Sequence, residues 1–256
     1  MIAIDRVRDF LRAAEDRVCD EMRPTPHGTA LVTEALPLVW ALNALRVEDP
    51  QAQVEDLVAE AETTQGGLGH RKLVVHEQEV GARLAPALAR RGWNVFRLLV
   101  MVRQRGPDRP ADPGLAAEAD PETARDALAT FRREQPFGWQ ELAIEQLAAM
   151  DARYTRALAA RDFVAPADRP ASSCRLYTNA SVAQIDEVGT LAAQRGRGLA
   201  RAAVLGAADA ATAAGCDLTF LLTDAGDWPQ ELYRRLGFDE IGCVYEFLKL
   251  PLGTAR

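Results

Sequence analysis

Arg195, Gly196, Arg197 and Gly198 stand at the one point in Val188–Val204, VGTLAAQRGRGLARAAV, where strand-compatible residues give way to an alanine-rich helix. A strand that enters a helix through glycines exposes several backbone N–H groups together, and the helix dipole adds about +0.5 charge at the same end. Gly196 and Gly198 let a ligand approach the backbone closely, while Arg195 and Arg197 add forked donors suited to phosphate. The chemistry is anion binding, and a pyrophosphate or phosphorylated cofactor suits it. The plainer alternative is a helix start with two packing glycines and two surface arginines. Spacing argues against two familiar phosphate loops: the chain has no GxxxxGK[ST], and a GxGxxG fingerprint needs a third glycine where Arg201 stands.

The elements that must position this turn follow from composition and periodicity. The chain has 256 residues, room for one large domain or two small ones, and a formal net charge of −7 that argues against a nucleic-acid partner. No apolar run reaches membrane-spanning length, so no membrane partner is expected. The opening MIAIDRVRDFLRAAEDRV carries acids where a secretory signal would be apolar. Val7, Phe10, Leu11, Ala14 and Val18 in it follow helical spacing instead. Cys19, Cys174, Cys216 and Cys243 lie far apart with no CxxC pair, which predicts reduced thiols, no zinc site and a cytoplasmic protein. His27, His70 and His76 are scattered and form no metal or triad pattern.

RQRGPDRPADPG, Arg103–Gly114, reads as a linker. It divides the chain into residues 1–105, a connection at 106–114, and residues 115–256. In the first part, strands are expected in Ala35–Val47, Lys72–His76 and Trp93–Val102, and helices in the opening segment, Pro50–Glu62 and Glu79–Gly92. In the second, helices are expected at Glu122–Glu134, Glu141–Ala160, Gly198–Ala214 and Trp228–Leu236. Strands are expected at Arg161–Ala165, Ser173–Thr178, Ser181–Leu191, Asp217–Leu222 and Ile241–Leu250. Each part has a strand that follows a glycine-terminated helix, which suggests two copies of one α/β unit. Trp40, Trp93 and Trp139 read as core, and Trp228 as a packed aromatic or a channel lining.

Two motifs together carry a family resemblance. RGRGLA, Arg195–Ala200, matches R/Q-x-x-G-x-G/A, and DWPQELYRRLGF, Asp227–Phe238, contains LYxxxGF in the expected order after it. Over Ser172–Leu250 the chain resembles the GNAT superfamily of N-acetyltransferases. The first part resembles it only through HRKLVV and ARRGWNVFRLLVMV and lacks RGxG. The resemblance implies an α/β fold, a GNAT-like mixed central sheet flanked by helices, in two tandem copies of which the first is degenerate and has no coenzyme motif.

It further implies acetyl-CoA as co-substrate, no metal, and acetyl transfer to a primary amine of a small molecule or peptide in a ternary complex. Coenzyme contacts map onto Arg195, Gly196, Arg197, Gly198, Leu199 and Ala200, and onto the preceding strand end at Val188, Gly189 and Thr190. Tyr233 matches the family's acid, and a phenol of pKa ~10 holds a proton to give to a thiolate at neutral pH. Asp186 and Glu187 are the candidate bases; strand alternation lets only one of them face the site unless a bulge intervenes. The resemblance favours the parity of Asp186, the longer Glu187 is second, and water is the third option. Asp227 is expected to cap the following helix, with Gln230 closing a capping box. Asp224 and Asp227 flank Gly226 where relatives carry an asparagine, and read as caps or turn residues. An acyl-CoA-binding pseudoenzyme or sensor, and an acyltransferase acting on a thiol or hydroxyl, remain as alternatives.

Overall fold

In the computed structural model, residues 2–112 and 114–250 are described; Met1, residues 251–256 and Pro113 of the expected linker lie outside the described residues. The amphipathic opening forms helix α1 (Ala3–Val18), with Val7, Phe10, Leu11, Ala14 and Val18 buried as their spacing predicts. It is followed by β1 (Glu21–Thr25), β2 (Gly28–Val32), β3 (Ala44–Val47), α2 (Val54–Gln65), β4 (Arg71–Val75), α3 (Gln78–Arg90) and β5 (Asn94–Arg103). The second part supplies β6 (Ala117–Ala119), α4 (Pro121–Arg133), α5 (Glu141–Ala157), β7 (Ala159–Ala165), β8 (Ser172–Asn179) and β9 (Val182–Thr190). It closes with α6 (Leu199–Ala213), β10 (Leu218–Asp224), α7 (Pro229–Arg235) and β11 (Phe238–Lys249).

Among the described residues, eleven strands join one mixed sheet in the order β1-β2-β3-β4-β11-β5-β10-β9-β8-β7-β6. The order has an internal symmetry about β11 and β5. On one side β4 is antiparallel to β11 and parallel to β3; on the other β10 is antiparallel to β5 and parallel to β9. Each parallel pair is joined by a crossover helix, α2 or α6, as parallel strands require. The central strands are exchanged. β5 ends the first part yet lies against β10 of the second, and β11 ends the second yet lies against β4 of the first.

One face of the sheet packs on α1 through Val100, Val102, Phe220 and Val244. The other packs on α6, whose Ala202, Ala203, Ala207, Ala208 and Ala211 are fully or almost fully buried. Small side chains there let the helix sit close to the strands it must aim.

Several local expectations fail for identifiable reasons. Only Ala44–Val47 of the anticipated Ala35–Val47 strand is extended. The residues before it turn, and Asn43 holds the turn by donating to the Leu36 and Val39 carbonyls and accepting from the Thr33 N–H. The β1–β2 hairpin escapes notice in the sequence because Pro24 interrupts it; on an edge strand a missing N–H is tolerated. Trp93 is buried as expected, but Trp40 is partly exposed and Trp139 is 78% exposed.

Candidate active site

β9 and β10 pair only through Val182–Leu218, Ala183–Thr219 and Gln184–Phe220, although β9 runs on to Thr190 and β10 to Asp224. Beyond Gln184 the two strands part. A cavity of about 590 Å³ opens there, lined by Val188, Gly189 and Thr190 from β9, the turn into α6, and Trp228, Leu232 and Tyr233 beside α7. Gly189 is a close-packed position: a Cβ on it would stand 3.3 Å from the Phe131 ring, and its carbonyl accepts from the Ser172 hydroxyl at 2.7 Å.

Gly196 and Gly198 both adopt positive φ, 77° and 78°, which explains glycine at each. A Cβ at either would meet no atom within 4 Å, so the space above them is open. Gly198 is the N-cap of α6, and no side chain caps the helix. Its first N–H groups are therefore left for a ligand. Arg195, Gly196, Gly198, Leu199 and Ala200 line the cavity; Arg197 does not, and its guanidinium donates to Gln194 instead. Arg195 donates to the Thr190 carbonyl at 3.3 Å and so ties the turn to the strand end.

Tyr233 is 6% exposed, lines the cavity and packs edge-on against Phe238, ring centroids 6.4 Å apart. Burial, with the nearby Cys174 second, pushes its phenol above the ordinary value, so it stays protonated through the neutral range. The cap on α7 differs from expectation. Asp227 accepts only from the Trp228 N–H, and Gln230 donates to the Ala225 and Asp227 carbonyls rather than closing a capping box. Trp228, expected either to pack or to line a channel, is 60% exposed and lines the cavity.

Strict alternation ends at the two acids. The β8–β9 register slips between Ser173 and Arg175, where Glu187 and Val188 together face Cys174. Glu187 takes φ 50°, a left-handed value that a non-glycine residue adopts at a cost of roughly 1–3 kcal/mol. The bulge brings Glu187 to the Arg132 guanidinium on α4, 3.5 Å away. Asp186 accepts from the Gln184 amide at 3.3 Å and from the Glu187 N–H at 2.8 Å. Desolvation raises the Glu187 carboxyl to about 7, partly offset by Arg132. Desolvation also raises Asp186, but that side chain is open to solvent, which limits the rise. Neither acid lines the cavity itself; Val188–Thr190, the residues directly after them, do.

The acetyltransferase (GNAT) family model matches residues 124–238, the span from α4 to the start of β11. Those residues belong to the GNAT acetyltransferase family. No curated protein matches the chain. Among solved structures, a conserved protein of unknown function from Staphylococcus epidermidis superposes with a TM-score of 0.69 at 17% identity, over 91% of this chain and 95% of that one. A GCN5-related N-acetyltransferase from Kribbella flavida gives 0.61 at 20% identity, over 98% and 96%. A tandem GNAT protein from the clavulanic acid pathway gives 0.53 at 13% identity, over 81% and 75%. At such identities the likeness is one of fold.

GNAT chemistry draws acetyl groups from acetyl-CoA, and the uncapped, open helix start with its arginines fits a pyrophosphate-bearing coenzyme. No cluster that could hold a metal exists among the described residues. The structure adds residues that sequence reasoning missed. Arg201, which spoils the dinucleotide fingerprint, lines the cavity and pins the connection between the two parts: it bonds Asp108 at 2.7 Å and the Arg109 carbonyl at 2.8 Å. Arg109 and Arg235 line the same cavity. The signal for them was weak, since they come from a proline-rich connection and a helix end far apart in sequence.

Proposed function

We propose that the chain is an acetyl-CoA-dependent N-acetyltransferase acting on a primary amine of a small molecule or peptide, with residues 115–256 carrying the site. Residues 1–105 are a degenerate copy without coenzyme chemistry, joined through 106–114. The observation that carries this reading is the open α6 N-terminus at the β9–β10 parting, with Tyr233 on the facing wall.

Acetyl-CoA supplies the acetyl group as a thioester. Backbone N–H groups at Arg195–Ala200 hold its pyrophosphate, and the arginines around the cavity add charge. Val188, Gly189 and Thr190, unpaired with β10, leave backbone groups free to orient the acyl end. Glu187, with a carboxyl near neutrality, takes a proton from the acceptor's ammonium so that the neutral amine can attack the thioester carbonyl, and Asp186 stands beside it as the second acid. A base with a pKa near the working pH combines availability with strength. Tyr233 keeps its phenolic proton at the cavity wall until a thiolate needs it.

A panel of primary amines, thiols and alcohols incubated with acetyl-CoA, with free thiol followed over time, tests the reading. It is supported if amines alone release thiol above the background rate, and it is wrong if a thiol or an alcohol is the preferred acceptor or none turns over.

A further inference from the structure

Glu187 belongs to a largely buried ionic group built from five elements. Arg132, in the last turn of α4, is held in a fork by Asp151 of α5 at 2.7 and 3.0 Å and reaches Glu187 with the same guanidinium. Arg175 of β8 forms an ion pair with Asp151 at 3.3 Å, without a hydrogen bond, and donates to Asp162 of β7 at 2.7 and 3.0 Å. Three carboxylates thus share two guanidiniums, and Asp186 adds a further negative charge nearby. Asp151 touches both cations and Asp162 has one in a two-point grip. Glu187 is left with a single contact at 3.5 Å, the poorest partnership of the three. Tyr154 of α5 and Tyr177 of β8 also face this group; burial raises both phenols, so they stay neutral where Glu187 titrates.

We propose that Arg132 and Asp151 are positioning residues for the proton-accepting step: Arg132 decides how readily Glu187 releases its proton, and Asp151 tempers Arg132, so the two act with opposite sign. The inference rests on Glu187 as the base. A guanidinium is required because one planar fork must serve Asp151 and Glu187 together, which an ammonium does less well. Opposite charge at this range lowers a carboxyl pKa by ~1–3 units and like charge raises it. Removing Arg132 therefore moves the Glu187 titration to higher pH. Removing the Asp151 charge takes away a repulsion and frees Arg132, and so moves it to lower pH.

The test measures the Glu187 carboxyl titration directly, by carbon NMR of protein labelled at glutamate side chains, with the resonance assigned from its loss in Glu187→Gln. The acid limb of kcat/KM is recorded beside it. Arg132→Gln should shift the Glu187 titration up by about one unit or more, Asp151→Asn should shift it down, and Arg132→Lys should lie between wild type and Arg132→Gln. If one arginine variant fails to fold, the other arginine variant and Asp151→Asn still give the two signs. Shifts in one common direction, or none, overturn the proposal. The two claims part cleanly: if Glu187→Gln leaves the acid limb unchanged, the base assignment falls, while the NMR shifts still decide whether the pair controls this carboxyl.

Discussion

The sheet presents the same junction twice, and only one of the two is open. In the second half, β9 leads into α6 through Arg195–Gly198, with two left-handed glycines, an uncapped helix start and a cavity. At the matching place in the first half, β3 leads into α2 through Glu48–Gln53, which carries acids and a proline and no glycine. There Arg83 on α3 donates to the Pro50 and Ala52 carbonyls at 2.8 and 3.0 Å, so a protein cation already engages the turn. Glu55 and Asp56 follow in the first turn of α2 and would repel a phosphate. The helices that face these junctions differ in the same sense. Four residues before the left-handed glycine that ends each, α7 has Tyr233 before Gly237 and α3 has Leu88 before Gly92. Leucine has no proton to give. The strand plan, which rests on apolar alternation, recurs in both halves, whereas the glycines and the phenol of the second junction have no counterpart in the first.

The exchanged central strands tie the two halves together. A fragment of residues 115–256 loses β5 from between β10 and β11, and with it Leu99, Val100 and Met101, all essentially buried. Each such side chain contributes ~1.5–3 kcal/mol on burial, against ~5–15 kcal/mol for a whole domain. The fragment should lack a cooperative thermal transition by circular dichroism. A sharp melt close to that of the full chain would mean that the halves are independent and the exchange is incidental.

Next in size is Tyr233→Phe. It removes one oxygen and keeps the ring against Phe238. A general acid typically contributes ~10²–10⁴-fold in rate, so kcat should fall by that order with little change in acetyl-CoA affinity. A phenol serving only the core would instead lower stability by ~1–3 kcal/mol and spare turnover. Comparing kcat with the melting temperature of this one variant separates the two.

The smallest effect belongs to the closed junction. Arg83→Ala removes two hydrogen bonds from a side chain on the surface, at ~0.5–1.5 kcal/mol each. For a chain of this size the melting temperature should drop by a few degrees, ~2–4 °C per kcal/mol. Coenzyme stoichiometry should stay unchanged, since unblocking the turn restores neither its glycines nor its charge. A second molecule of acetyl-CoA bound by this variant would show that Arg83 alone closed the site.

Much of this was legible because it is local. The glycine spacing of RGRG, the helical period of α1 and the alanine face of α6 are properties of consecutive residues, and each forms where the pattern puts it. What escaped depends on residues distant in sequence. The place of β5 between β10 and β11 is fixed by pairing across more than a hundred residues. The bulge at Glu187 comes from the register of β9 on β8, so the rule that one acid faces away could not be applied from the sequence. Nothing in their own segments singles out Arg132 or Asp151, and only the packing of α4 on α5 makes them a buried pair. Trp139 resembled core by residue type alone and is exposed.

Calorimetric titration of acetyl-CoA into the full chain and into Gly198→Glu decides whether the doubled fold holds one open anion cradle. The substitution sets a carboxylate and a strained left-handed backbone where a phosphate should lie, and it leaves the first half untouched. One site per chain is expected in the wild type and at least a hundredfold weaker binding in the variant, while the melting temperature without ligand stays within a few degrees. Two equivalent sites, or one site of undiminished affinity in Gly198→Glu, would contradict it.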